Sequence, residues 1–274
     1  MMKKTREILV TNDDGFRAKG IHVLAGMLRE YGNVTVVAPY EPQSGRSVSL
    51  TLDKPLMIER PLVEEATETL GSLRLYTLSG TPADCAKLGI NIFLHEKRLP
   101  DLLVSGINHG SNASAASIYS GTLGATVEGT LYNIPSIGFS INTHDENPDF
   151  EGVLFYGRQI LDNVLRDGLR KNVYLNVNFP AIPKDQIRGI RMARQGAGRW
   201  VKEFDHRVTL RGKHYFWMVG EFEDQEAVGA PDADHHLVDA GYISIVPHSI
   251  DTTAYDEVER LRDLWKLDHN MEES

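Results

Sequence analysis

The chain has 274 residues, 41% of them hydrophobic, and a formal net charge of −9. This length suits one large domain or two small ones with a real core. The negative charge argues against a broad nucleic-acid surface, which needs clustered Lys and Arg. A small phosphorylated ligand is still allowed, because a bound divalent cation reverses the field in an acidic cleft.

No stretch approaches the roughly 20 apolar residues that span a bilayer, and the N-terminal segment reaches the acidic pair at 13–14 before a secretory apolar run forms. We therefore expect a cytoplasmic protein that does not contact membranes. The single cysteine, Cys85, lies in an apparent helix, where we interpret it as core filling rather than as a nucleophile.

Up to about residue 185, short apolar runs alternate with helical patterns, which is typical of an α/β sheet with crossover helices. The predicted strands are 7–11, 33–39, 73–80, 100–108, 135–141 and 172–180, and the predicted helices are 20–32, 82–93, 121–133 and 150–169. This order predicts a mostly parallel sheet covered on both faces. Ligands of such sheets bind beyond the carboxyl ends of the strands.

The character changes after about residue 186, where residues 207–222 and 241–249 look like long hairpin strands with an acidic loop between them. Residues 254–267 form a charged helical pattern with one apolar stripe, which predicts packing against the body or a sister subunit. We expect residues 1–185 to form a catalytic core. Residues 186–274 would add a hairpin arm, a returning strand and a C-terminal helix, as one structural unit with that core.

Two adjacent carboxylates, Asp13 and Asp14, follow the first predicted strand and precede Gly15. Successive residues leaving a strand point to opposite sides, so one carboxylate can bind a metal while the other bridges or orients. The alternative is a helix cap with an Asx turn, which such a pair before glycine often forms.

A hydroxyl-rich loop at 38–51, with Ser44 and Gly45, follows the second predicted strand and would face the same crevice. Its hydroxyls and free amides can hold a phosphate or a cation. A flexible surface loop explains the same composition.

The segment 100–133 places glycines, amides and hydroxyls between a strand and a helix: Gly106, Asn108, Gly110, Asn112, Ser120, Gly121 and Thr122. Glycines let backbone amides approach an anion, asparagines offer neutral oxygen ligands, and a helix N-terminus favours negative charge. Local turn chemistry explains the asparagines equally well. The segment lacks the P-loop lysine and the dinucleotide-binding glycine pattern, which disfavours a P-loop kinase or a dehydrogenase.

Thr81 and Asp84 begin another helix, and capping alone explains them. The adjacent His235 and His236 lie in the acidic loop, where we expect them to be exposed. Three strand-end loops rich in Asp, Ser, Gly and Asn together indicate hard-cation chemistry on an anion.

The motifs VTNDDG, QSG, SGTPADC, SGINxGxN, YSGT and GYISIVP, in this order from residue 7 to about 255, resemble the SurE family of acid and nucleotide phosphatases. The resemblance implies a three-layer Rossmann-like core, an extended arm exchanged within a homodimer or tetramer, and nucleoside 5′-monophosphate hydrolysis by metal-activated water. The resemblance also implies that nucleoside 3′-monophosphates and short polyphosphate are further substrates.

The resemblance also implies a residue assignment. One Mg²⁺ or Mn²⁺ per subunit is held by Asp13, Asp14, Ser44 and Asn108. Asp13 or Asp14 also takes the proton of the attacking water. The implied phosphate and substrate contacts are Asn12, Gly45, Gly106, Asn112, Ser120, Gly121 and Thr122.

The chain departs from the family pattern at 113–117, where ASAAS stands, and at Ala233, where a threonine is usual. Both departures bear on substrate preference rather than on the ligands. Two rivals remain: a haloacid-dehalogenase-type phosphatase, whose DxDx[TV] spacing NDDGF lacks, and a nucleotide or metal sensor without activity.

Overall fold

A nine-stranded sheet is the centre of the computed structural model, which describes residues 5–145, 147–227 and 230–265. The strands are β1 Arg6–Thr11, β2 Gly32–Pro39, β3 Ile58–Glu64, β4 Leu73–Leu78, β5 Leu102–His109, β6 Ser136–Asn142, β7 Val173–Pro180, β8 Ile190–Met192, β9 Gly198–Val201, β10 Phe204–Val208, β11 His214–Met218, β12 Glu221–Asp224 and β13 Ile243–Ser249. The helices are α1 Lys19–Leu28, α2 Pro82–His95, α3 Ala116–Tyr119, α4 Gly121–Leu131, α5 Glu151–Asp167, α6 Asp234–Asp239 and α7 Tyr255–Trp265.

The sheet has the order β3-β4-β2-β1-β5-β6-β7-β13-β8. The six strands from β4 to β7 are parallel, whereas β3 and β13 pair antiparallel with β4 and β7. Strand β1 lies between β2 and β5, so the chain leaves β1 on one side and returns on the other. This is a topological switch point, and it opens a crevice at the carboxyl ends of β1 and β5.

Alternating residues of a strand pack into two hydrophobic cores, which lie on opposite faces of the sheet. Ile8 and Val10 pack with residues of α1 and α5, whereas Leu9 packs with Cys85 and other residues of α2 and α4. The pattern follows from the period of two along a strand, and it explains why a doubly covered strand is almost wholly apolar. The predicted three-layer, mostly parallel architecture is confirmed. The interpretation of Cys85 as core filling agrees with its complete burial.

Several predicted details were wrong. Residues 207–222 are not one long strand, because they are divided among β10, β11 and β12. Residues 241–249 do not pair with them, since β13 returns to the central sheet beside β7. The predicted helix 20–32 stops at Leu28, because Gly32 already begins β2. His235 and His236 are not in an exposed loop, since they lie half-buried on α6. None of the described helices has the length and apolar content needed to cross a bilayer.

The arm, defined here as residues 198–224, consists of the ladder β9–β12 and the hairpin β10–β11. Its hairpin exposes large apolar side chains, and α7 likewise buries none of its described residues. Of the predicted apolar stripe of α7, Val258, Leu264 and Trp265 are exposed and Leu261 is half-buried, and residues 266–267 of the predicted helix lie outside the described ranges.

Candidate metal and phosphate site

A tight turn carries the paired carboxylates out of β1. The Asn12 side chain donates to the Gly15 carbonyl at 2.9 Å, and Gly15 has a φ of +89°, a conformation that favours glycine. Phe16 then donates its N–H to the Pro39 carbonyl at the end of β2. These bonds place Asp13 and Asp14 at the switch-point crevice, as strand-end reasoning predicts.

Asp13 lies against the N-terminus of α4. Its side chain is 4% exposed, and Thr122 donates its hydroxyl to Asp13 Oδ1 at 2.5 Å. A Cβ atom at Gly121 would stand 2.9 Å from the Asp13 Cβ atom, so only glycine allows this approach. The first turn of α4, which carries the positive end of the helix dipole, therefore faces a carboxylate.

The charge state of Asp13 follows from this burial. Burial and the neighbouring Asp14 raise its pKa from 3.8 to about 7, although hydrogen bonds from Thr122 act in the opposite direction. Two carboxylates held this close in a buried turn are stable as anions only beside a positive charge. A cation at the turn would supply that charge.

Asp14 is held by His109, the last residue of β5. The His109 backbone N–H donates to Asp14 Oδ2 at 3.0 Å, and the ring Nδ1 lies 3.3 Å from the same oxygen. Sequence reasoning did not single out His109, since it stands at the unspecified position between Asn108 and Gly110 in the SGINxGxN motif. Its place directly after a strand-end asparagine was the available signal.

Asn108 reaches the same edge of the sheet from β5, whose Ser105 pairs with Thr11 of β1. Its side-chain N–H donates to the Gly110 carbonyl at 2.8 Å, and the residue is 8% exposed. Because the nitrogen is engaged, the amide has one orientation and its Oδ1 atom keeps its lone pairs for another partner.

The loop with Ser44 is tied to the turn by its neighbour Gln43, which donates its N–H to the Asp13 carbonyl at 2.7 Å. Ser44 itself is exposed, and Gly45 has a φ of +73° with open space around it. The structure thus places Ser44 one residue from a contact with Asp13, on the solvent side of the crevice.

The far end of this loop is anchored by the N-terminus of α2. Thr81 and Asp84 form the predicted capping box, and they also bind the loop: Thr81 donates to the Ser49 carbonyl at 2.6 Å and Thr51 N–H donates to Asp84 at 3.1 Å. Burial acts to raise the pKa of Asp84, but hydrogen bonds from Thr51 and Thr81 lower it overall. Capping chemistry therefore positions the Ser44 loop.

The predicted phosphate contacts divide into two groups. Gly121 and Thr122 lie beside Asp13, and Ser120 caps the same helix by accepting the Leu123 N–H at 3.1 Å. Asn12 also belongs here, since its Oδ1 atom is buried and has no hydrogen-bond partner among the described residues.

Asn112 and Gly106 have other surroundings. Asn112 donates its side-chain N–H to Ser140 at 2.8 Å and its backbone N–H to Asn178, within a buried amide network. Gly106 lies inside β5, where a Cβ atom would stand 2.3 Å from the Phe139 carbonyl oxygen. Both residues support the strand-end backbone around Asn108.

The residues present fit a hard divalent cation. The side chains gathered at the crevice offer carboxylate and amide oxygens, with a hydroxyl nearby on the Ser44 loop, and such ligands suit Mg²⁺ or Mn²⁺. A cation bound to these ligands would lower the raised pKa of Asp13. It would also offer a partner to the buried Asn12 Oδ1 atom, which has none among the described residues. We call Asp13, Asp14, Ser44 and Asn108 the strand-end site.

Comparison with known proteins gives the chain a family. The family model described as Survival protein SurE matches residues 8–202. A protein named 5'-nucleotidase SurE from Christiangramia forsetii is 42% identical over 267 residues, which cover 97% of this chain and 99% of that protein. Another of that name from Flavobacterium psychrophilum is 44% identical over 260 residues, covering 95% and 97%. The crystal structure of the SurE protein from Aquifex aeolicus is 35% identical with a TM-score of 0.78, covering 94% of this chain and 99% of that one. The chain therefore belongs to the SurE family.

Proposed function

We propose that the chain is a 5′-nucleotidase, a metal-dependent phosphomonoesterase that converts nucleoside 5′-monophosphates to nucleoside and phosphate. One observation carries the proposal: Asp13 is buried beside Asp14 at the switch-point crevice with its pKa raised to about 7, facing the N-terminus of α4. Paired anions and an anion-binding helix end at one point suit a cation and a phosphate together. The relatives named 5'-nucleotidase SurE support the substrate class.

Asp13, Asp14, Ser44 and Asn108 would hold one cation per subunit, Mg²⁺ or Mn²⁺. When bound, such an ion supplies Lewis-acid polarisation of a phosphoryl oxygen and a lowered pKa for a coordinated water. His109 fixes Asp14 and Thr122 fixes Asp13, so neither carboxylate has to reorganise when substrate arrives.

The protein's own groups would perform the remaining steps. One of the two carboxylates, Asp13 or Asp14, accepts the proton of the attacking water. Gly121 and Thr122, at the first turn of α4, and the dipole of that helix bind the phosphate oxygens on which charge increases during ester cleavage. Asn12, Gly45, Gly106, Asn112 and Ser120 complete the proposed substrate contacts, some of them by shaping the backbone.

Two finer features belong to the same proposal. The arm would exchange between subunits of a homodimer, or a tetramer built from dimers, because its hairpin exposes Phe204, Phe216 and Trp217, which need a second surface. The enzyme would act in the cytoplasm, in keeping with a free, buried Cys85. Short polyphosphate and nucleoside 3′-monophosphates are proposed as additional substrates of the same crevice.

The test is phosphate release from a panel of 5′- and 3′-nucleoside monophosphates and tripolyphosphate, using protein stripped by chelator and then resupplied with Mg²⁺ or Mn²⁺. We expect release from 5′-monophosphates only after metal is restored. A phospho-aspartate trapped during turnover would instead support the haloacid-dehalogenase mechanism. No release from any substrate with either ion would leave a non-enzymatic sensor as the better explanation.

A further inference from the structure

A second group of metal-ligating side chains lies away from the strand-end site, where the arm meets the body. It consists of Asp224, the last residue of β12, with His235 and His236 of α6, and we call it the histidine cluster. His235 Nε2 lies 3.1 Å from Asp224 Oδ1, and His236 Nε2 lies 2.7 Å from Asp224 Oδ2. One ligand atom from each residue lies within 4.8 Å of the other two.

The outer nitrogen of each ring also faces an oxygen. His236 Nδ1 lies 3.1 Å from the Ala230 carbonyl, and His235 Nδ1 lies 3.5 Å from Oδ1 of the fully buried Asp234. His236 has the arrangement common in metal-binding histidines, in which a carbonyl behind Nδ1 fixes the ring and leaves Nε2 as the ligand, whereas His235 Nδ1 is buried without a hydrogen bond among the described residues.

This arrangement is unfavourable for a neutral His236. With its proton on Nδ1, which faces the Ala230 carbonyl, the bare Nε2 points its lone pair at an Asp224 oxygen. A positive charge between Nε2 and the carboxylate removes this repulsion, and either a proton or a metal ion can supply it.

We propose that the histidine cluster binds a divalent transition metal of the zinc class through His235 Nε2, His236 Nε2 and an Asp224 oxygen. Ligand atoms of a tetrahedral zinc site lie about 3.3 Å apart, given metal–ligand bonds of roughly 2.0–2.1 Å, so the cluster needs only small side-chain shifts. Two nitrogens and one carboxylate select zinc-like ions, whereas the oxygen ligands of the strand-end site select Mg²⁺ or Mn²⁺. The two sites therefore take different metals.

The position of the cluster gives the bound metal a structural role. Asp224 belongs to the base of the arm, whereas α6 is fixed to the body through Asp234, which accepts the N–H groups of Ser114 and Gly196. Ser114 lies in the segment that follows the strand-end asparagine of β5. A metal at the cluster would thus fasten the base of the arm beside the loop that borders the proposed crevice.

The experiment is a Co²⁺ titration of the full-length Asp14→Asn protein after chelator stripping, followed by the visible d–d absorption of the bound ion. The Asp14→Asn change weakens the strand-end site and leaves the histidine cluster intact. We expect one Co²⁺ per chain with the intense bands of a four-coordinate, nitrogen-ligated ion, displaced by Zn²⁺ and not by excess Mg²⁺.

Variants in the same background assign the signal. His236→Gln should bind Co²⁺ at least about tenfold more weakly, as should Asp224→Asn, whose exposed position tolerates the change. His22→Gln, at an exposed position on α1, is the matched control and should titrate like its parent. Circular dichroism of each variant confirms that a lost signal is not lost structure.

Equal Co²⁺ affinity in the His236→Gln, Asp224→Asn and parent proteins would overturn the proposal, as would displacement of the bands by Mg²⁺. The absence of a four-coordinate spectrum in the parent would also overturn it, and would mean that protons alone neutralise the cluster. None of these readouts depends on nucleotide hydrolysis, so the site and the proposed function can fail separately.

Discussion

The strand-end turn and the arm distribute polar and apolar side chains in opposite ways. At the turn, Asp13 and Asn108 are nearly inaccessible, and each makes a defined hydrogen bond. On the arm, Leu210 is fully exposed and Trp217 is 59% exposed. Folded chains usually bury apolar side chains and expose carboxylates, so each region departs from the common pattern.

The difference shows that the strand-end turn is structurally complete within one chain, whereas the arm is not. The turn is braced by β1, β5 and α4, so its geometry follows from the sheet of a single chain. The arm has no core of its own, because a two-stranded hairpin buries little apolar area. In the proposed function, a second subunit covers the arm, whereas a bound cation completes the turn.

The largest expected effect is on catalysis at the turn. Asp13→Asn and Asp14→Asn keep the size of each side chain and remove its charge, so cation binding and proton acceptance are lost together. We expect kcat/KM for a 5′-monophosphate to fall at least about 10³-fold with the fold retained. Full activity in both variants would exclude the turn as the catalytic centre.

The second effect is a pH-dependent stability of the metal-free protein. The pKa of Asp13 is about 7 in the folded chain and 3.8 as its ordinary value, so the folded state binds more protons between these pH values. The contribution of Asp13 to the free energy of unfolding is therefore greatest below about pH 4. It decreases by about 4 kcal/mol at most as the pH rises to about 7.

Urea unfolding in chelator at about pH 5 and about pH 8 measures this effect. Asp13→Asn should remove most of the decrease, and Asp53→Asn, at an exposed position, should leave it unchanged. An added divalent cation should stabilise the wild type more at the higher pH. A decrease that persists in Asp13→Asn would assign the proton to another group.

The third prediction concerns the arm. Phe216→Ser with Trp217→Ser should weaken subunit association about 10²-fold or more, because buried aromatic residues dominate interfaces. Both side chains are exposed in the single chain, so unfolding of the monomer should change little. Sedimentation equilibrium measures the association, with Leu52→Ser as the exposed control outside the arm. Equal association of both variants would show that the arm is not the interface.

The smallest effect is at the N-terminus of α2. Thr81→Ala removes one half of the capping box and the bond to the Ser49 carbonyl, which should cost about 1 kcal/mol of unfolding free energy. The Ser44 loop also loses an anchor, so the metal concentration for half-maximal activity should rise modestly. Thr69→Ala, at an exposed loop position, is the control. An unchanged metal requirement would mean that Thr81 only caps the helix.

Much of the core could be predicted because buried parallel strands appear as continuous apolar runs bounded by glycine and proline. The edge strand β3 was missed, since nearly all its residues are exposed and no apolar alternation marks it. Helix α6 spans six residues, too few for a helical period to show. Strand β13 pairs with β7, which is far away in sequence, and no local sequence pattern predicts such a pairing.

The strand-end carboxylates and Asn108 were predictable for a different reason: parallel strands end at one edge, so residues that follow neighbouring strands meet there. The contact of His109 with Asp14 was not predictable. His109 lies just beyond a register shift in the pairing of β5 with β6, between Ser105 and Asn108, and no local sequence pattern predicts that shift. The histidine cluster was missed because Asp224 and α6 meet only through the tertiary fold.

The decisive experiment titrates chelator-stripped protein with Mn²⁺ and measures bound Mn²⁺ and AMP hydrolysis together. We expect turnover to rise in proportion to the occupancy of the strand-end site, and Asp14→Asn to abolish both responses. Hydrolysis at the full rate without metal, or Mn²⁺ binding at the site that leaves turnover unchanged, would show that the strand-end site is not the catalytic metal site.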